Sequence, residues 1–127
     1  MRKEIENWWK QAKYDLETAK ILLKTERYDA ASFYCQQTIE KALKAYILET
    51  KKESPGPIHS LIKLANEAKI PEKFHKFLKN LSPDYYLARY PDASEELPYL
   101  IYKKTEVEEN IKMAQEVIKW LETRMKK

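Results

Sequence analysis

Two groups of residues in this chain have types and spacings that could do chemistry. The first lies in the run Gln36-Gln37-Thr38-Ile39-Glu40-Lys41-Ala42-Leu43-Lys44. On a helix, Gln37, Glu40 and Lys44 stand at i, i+3 and i+7 with Lys41 beside them, so the four share a face. Glu40 and Lys44 also make a favourably oriented i,i+4 ion pair. Such a stripe either lines a groove or a subunit interface, or is the solvated side of its helix. The second group is Arg89-Tyr90-Pro91-Asp92, led in by Tyr85 and Tyr86. Its arginine could contact a phosphate or pair with a carboxylate such as Glu40. The tyrosines could stack on a base or plug the open end of a bundle.

Other chemistries find little support. Glu72-Lys73-Phe74-His75 has the Glu-x-x-His spacing that lets two side chains reach one metal. A di-iron bundle needs two such motifs and two further glutamates on facing helices, so neither metal nor cofactor is expected. No serine, cysteine and histidine cluster suggests a hydrolytic triad. Gly56 is the only glycine, which rules out phosphate-loop and dinucleotide fingerprints.

The elements that must position these groups can be read from composition and periodicity. The 127 residues are 43% apolar and 35% charged. They point to one domain, residues 1–127, and with a single glycine to an all-helical fold. The lone Cys35 excludes a disulfide framework and reads as a buried, reduced thiol in a cytoplasmic protein. No apolar run of about 18 residues or more is present, so no membrane span is expected. The richness in Lys and Glu is in keeping with a thermophilic source. Net charge is +4, unevenly spread: residues 41–79 carry nine Lys against four Glu, whereas residues 80–102 carry one Arg against four acids. A basic middle could attract phosphates or an acidic partner; ordinary solvated helix faces would give the same count.

Ile5, Trp8, Ala12, Leu16, Ala19 and Leu23 recur at spacings of three and four and predict a helix over 3–25. A second helix runs from about Ala30, with Asp29 as N-cap, to Thr50. It is apolar around much of its circumference and should lie centrally. Two prolines around Gly56 break the chain. Ser60 can cap a short helix over 61–69, and Pro71 can open another to Leu81. Residues 82–101 read as irregular, with Pro91 barring Tyr90 from comfortable helix and forcing a bend. Thr105 and Glu108 form a capping box for the last helix, whose stripe is Val107, Ile111, Ala114, Ile118, Leu121 and Met125. The expected architecture is an all-α, antiparallel up-and-down bundle of three long and two short helices with one long irregular connection.

The order of these features resembles a known family. Residues 8–23 read W-W-K-Q-A-K-Y-D-L-E-T-A-K-I-L-L and residues 30–47 read A-A-S-F-Y-C-Q-Q-T-I-E-K-A-L-K-A-Y-I. H-S-L follows at 59–61, R-Y-P-D at 89–92, and the terminal helix opens at Thr105. Together they look like a HEPN domain (higher eukaryotes and prokaryotes nucleotide-binding). The resemblance implies a bundle like the C-terminal domain of kanamycin nucleotidyltransferase, a homodimer, and a minimal nucleotidyltransferase as partner in a toxin–antitoxin-like pair. Nucleotide or RNA would be its ligand, with Gln37, Glu40, Lys41, Lys44, Arg89 and Asp92 as the candidate contacts. Many HEPN proteins are metal-independent ribonucleases that use Arg, four to six residues, then His. This chain departs from that pattern. Its arginines are Arg2, Arg27, Arg89 and Arg124, its histidines His59 and His75, and none stands at that spacing. The resemblance therefore favours a binding module without a catalytic set. A ribonuclease here would need an atypical one, Arg89 clamping phosphate and His59 or His75 moving the proton. The remaining alternative is a purely structural or oligomerisation domain.

Overall fold

The computed structural model describes residues 2–93 and 95–125, and every regular element among them is helical. Three long helices form the frame: α1 (Lys3–Lys24), α2 (Tyr28–Lys51) and α7 (Lys104–Met125). Between α2 and α7 lie α3 (Leu61–Ala68), a 3₁₀ turn (Glu72–Phe74), α4 (His75–Leu81), α5 (Asp84–Leu87), a second 3₁₀ turn (Pro91–Ala93) and α6 (Pro98–Ile101). No described helix is long and apolar enough to cross a membrane.

The periodic stripes bury as their spacing predicts. Ala12, Leu16 and Ala19 of α1 meet Ala31, Cys35, Ile39, Ala42 and Leu43 of α2 and the Val107-to-Leu121 stripe of α7 in one core. The central place expected for α2 is observed, since it packs against all the other α-helices. A smaller cluster joins Ile5, Ala45, Leu48 and Met125. It collects the start of α1 with the ends of α2 and α7, so α1 runs antiparallel to both and those two run parallel. The crossover from α3 to α6 supplies the missing fourth side.

Several boundaries differ from the periodic reading. Helix α2 starts at Tyr28 with Arg27 at the cap position, so Asp29 falls inside the first turn. Its carboxylate still complements the helix dipole there without capping it. Helix α7 starts at Lys104, which moves Thr105 into the first turn and Glu108 into the second, in place of the expected capping box. Ser60 does cap α3, accepting from Lys63 N at 3.3 Å. Pro71 precedes a 3₁₀ turn and only then α4. The stretch expected to be irregular is instead three short helical pieces, because α5 and α6 pack on α2, and the second 3₁₀ turn on α5, which stabilises turns too short to persist alone. With one glycine available, Glu26, Lys52 and Lys69 take the left-handed conformations that end helices.

A buried polar contact pins the crossover to α2. Asp84, 6% exposed, accepts from Ser32 Oγ of α2 and, at 2.7 Å, from the Tyr102 hydroxyl just before α7. Burial pushes the Asp84 carboxyl above the usual carboxylate range, the two hydroxyls pull it back, and Glu106 adds to the rise. Burial, with the Asp84 charge, also raises the Cys35 thiol far above its ordinary value, which makes it inert as a nucleophile. A carboxyl whose folded pKa exceeds its unfolded one is fully tolerated below the unfolded value, roughly 3.9. Stability is then lost as pH rises from there through the folded value. Asp84→Asn removes that loss. In urea unfolding from acid to neutral pH, the stability of the variant relative to wild type is expected to rise with pH; a flat or falling difference would contradict the assignment.

Candidate functional site

The polar stripe of α2 is not solvated. Glu40 is 4% and Lys44 6% exposed. Burying either charge alone would cost several kcal/mol, so each needs partners. Glu40 accepts from Lys44 Nζ at 3.1 Å and from Gln36 Nε2 at 3.2 Å, and His59 Nδ1 lies 3.2 Å from both of its oxygens. Gln36 Nε2 also donates to the His59 carbonyl at 3.0 Å, and Gln37 donates to Gln36 Oε1 at 2.9 Å. Trp8 of α1 closes the far side, its ring centre 5.5 Å from the Lys44 ammonium. No buried side-chain polar atom among the described residues lacks a partner.

His59 carries this network to the surface. Its ring stacks on Tyr85, centroids 3.9 Å apart and planes 13° off parallel. Tyr85 in turn bears the Arg89 guanidinium, whose central carbon lies 4.6 Å from that ring, 4.5 Å from Phe33 and 4.9 Å from Tyr90. Arg89 Nε donates to the Tyr85 carbonyl one turn earlier, at 2.9 Å. A continuous path thus runs Lys44–Glu40–His59–Tyr85–Arg89, from the interior of α2 to an exposed cation. Beside it lies a pocket of about 250 Å³ lined by His59, Ser60, Ser82, Pro83, Tyr85 and Tyr86.

The chemistry available follows from this geometry. The tautomer in which His59 Nδ1–H donates to Glu40 leaves Nε2 as an acceptor, which is what a proton-transfer group needs. Arg89 is a planar cation held by aromatic faces, which leaves its outer N–H groups for an oxyanion. Exposed Tyr86 and Tyr90 flank it and could stack on a base.

Of the residues singled out in the sequence, Glu40 and Lys44 meet in the network and Gln37 joins through Gln36. Lys41 instead turns to Asp15 of α1, which also accepts from Gln11, and so ties α1 to α2. Arg89 does not pair with Glu40: Lys44 and His59 already occupy that carboxylate, and the aromatic cluster holds the guanidinium. Asp92 sits exposed in the second 3₁₀ turn and makes no ion pair with a described residue. His75 is taken up by the Ile70 carbonyl at 2.9 Å. The importance of Gln36 and Tyr85 had a local signal, each standing one helical turn before Glu40 and Arg89. The pairing of His59 with Glu40 had none, because a loop brings together residues 19 apart.

The helical frame with this polar path on one side defines a class, and the chain belongs to the HEPN domain family, whose model matches residues 5–124. The candidate toxin MJ1304 of Methanocaldococcus jannaschii is 34% identical over 124 residues, which cover 86% of this chain and 80% of that protein. The crystal structure of ST0689, an archaeal HEPN homologue, superposes with a TM-score of 0.82 at 31% identity, covering 99% of this chain and 100% of that one. That of TT1696 from Thermus thermophilus gives 0.84 at 29% identity, covering 96% and 98%.

Removing Glu40 leaves Lys44 buried without a counter-charge. Glu40→Leu is expected to cost about 3–5 kcal/mol in urea unfolding, whereas Glu40→Leu with Lys44→Met recovers most of it. Additive losses in the double variant would show that the pair is not coupled.

Proposed function

We propose that this HEPN protein is a non-catalytic binding module of a toxin–antitoxin-like pair, acting in the cytoplasm as a homodimer with a minimal nucleotidyltransferase as partner. It engages nucleotide or RNA through Arg89 and the aromatic side chains around it. The observation that carries this reading is Arg89 itself, an exposed guanidinium held over Phe33, Tyr85 and Tyr90 beside the half-exposed His59 ring. A fixed cation amid exposed tyrosines suits a phosphate with a neighbouring base. The name of the M. jannaschii relative supports the toxin-like setting.

The test is direct binding of labelled single-stranded RNA and of nucleoside triphosphates at low salt. Arg89→Ala is expected to weaken binding about tenfold, the size of one charge-assisted phosphate contact. Unchanged affinity would remove the ligand from this face. Co-expression with a neighbouring nucleotidyltransferase reading frame is expected to give one co-eluting complex, and separate elution would count against the partnership.

A second reading is favoured by one feature. His59 and Arg89 lie against the same Tyr85 ring while Glu40 holds His59 Nδ1. A phosphodiester lodged there would meet a cation and a proton acceptor together, the needs of metal-independent RNA cleavage. Under this reading RNA is cut in the presence of a chelator, and both His59→Ala and Arg89→Ala abolish the cutting. Full activity in either variant would discard it.

A further inference from the structure

We infer that the pocket beside His59 receives one unpaired base of a nucleotide or single-stranded RNA whose phosphate lies on Arg89. This rests on the nucleotide or RNA reading above and names the part of the ligand that is recognised.

The walls decide what fits. The pocket holds about 250 Å³, below the roughly 300–1,000 Å³ of sites that enclose a drug-sized ligand. It has room for one flat ring system and not for base, sugar and phosphate together. Tyr85 offers such a ring no surface. His59 stacks 3.9 Å from its centre and the Arg89 guanidinium carbon lies over it at 4.6 Å, and two groups so close to one ring occupy opposite faces. Tyr86 does offer a surface. Its ring stands at 85° to that of Tyr85, with centroids 4.7 Å apart, and the residue is 55% exposed. Stacking on an aromatic face is a contact that every base can make.

Two serines add direction. Ser60 Oγ accepts from Lys63 N at 3.3 Å and Ser82 Oγ from Leu61 N at 2.9 Å. Those backbone bonds fix the oxygens, and neither hydroxyl donates to a described residue. A hydroxyl donor at a pocket wall suits the carbonyl oxygens and ring nitrogens at the edge of a base. In a duplex the base is paired and both its faces are stacked, so only an unpaired base can enter.

Arg89 is placed for the rest of the nucleotide. Tyr85 lines the pocket and carries the guanidinium. A single aromatic ring thus separates the cation from the pocket, about the breadth of the ribose that joins a base to its phosphate. Base and phosphate are then held by different side chains, Tyr86 and Arg89, which can be removed one at a time.

The test is fluorescence anisotropy on the full chain at low salt with three labelled ligands. They are a short single-stranded RNA, the same strand in a duplex, and an abasic strand of equal length that keeps ribose and phosphate. Wild type is expected to bind the intact single strand at least about fivefold more tightly than either of the others. Tyr86→Ala, at a side chain too exposed to matter for folding, is expected to erase that preference, and Tyr86→Phe, which keeps the ring, to restore it. Arg89→Ala is expected to weaken the intact and abasic strands alike. Equal affinity of wild type for intact and abasic strands, duplex binding as tight as single-strand binding, or a preference that survives Tyr86→Ala overturns the base pocket and leaves the phosphate contact of Arg89 standing. Affinity for none of the three ligands overturns both.

Discussion

The Glu40 carboxylate is the constraint around which the rest of the site is arranged. It sits on the most enclosed helix of the bundle, where an ionised carboxylate persists only if hydrogen bonds and a counter-charge replace its water. Lys44 supplies the charge from the next turn, Gln36 a hydrogen bond from the previous one, and His59 a contact from outside the helix. The last of these is the consequential one. To satisfy Glu40, the loop after α2 must bring His59 back across that helix, and the imidazole then provides the platform on which Tyr85 stacks. Arg89 follows from Tyr85, one turn later on the same short helical segment. A requirement of burial in the interior thus fixes an exposed cation at the surface.

The crossover is held in the same manner at a second point. Asp84 joins Ser32 on α2 to Tyr102 at the entrance of α7. With Glu40–His59 it brackets the chain between α3 and α7, which otherwise consists of helical pieces too short to be stable alone. These two buried carboxyl groups explain how a segment poor in helix signals acquires a defined shape. They also explain why its remaining apolar and charged side chains point outward: the sites facing α2 are already filled.

Much of the fold was legible in residue order. The stripes of α1, α2 and α7 and the Ser60 cap appear where periodicity and side-chain chemistry place them, because burial of a helical face is a local property repeated every three or four residues. The family resemblance was legible for the same reason, being carried by runs such as Gln36 to Ala45 and by Arg89 to Asp92. Helix starts were less so. Asp29 and Thr105 have good capping chemistry, yet each lies one or two residues inside its helix, since packing extended both helices beyond the local signal. The stretch from 82 to 101 reads as irregular in sequence because its turns depend on contacts with α2 that no local pattern encodes.

For the site, sequence alone determined that Glu40 and Lys44 lie one turn apart and that Gln37 shares their face. Helical geometry guarantees both. It also determined that the Arg-then-His spacing of the family's ribonucleases is absent. Tertiary structure decided which way the stripe faces and what completes it. It sent Lys41 to Asp15, gave Glu40 to His59, and left Arg89 on aromatic rings in place of a salt bridge to Glu40. The reason is physical. A polar stripe has the same pattern whether water or another segment covers it, and only the folded crossover determines which of the two is there.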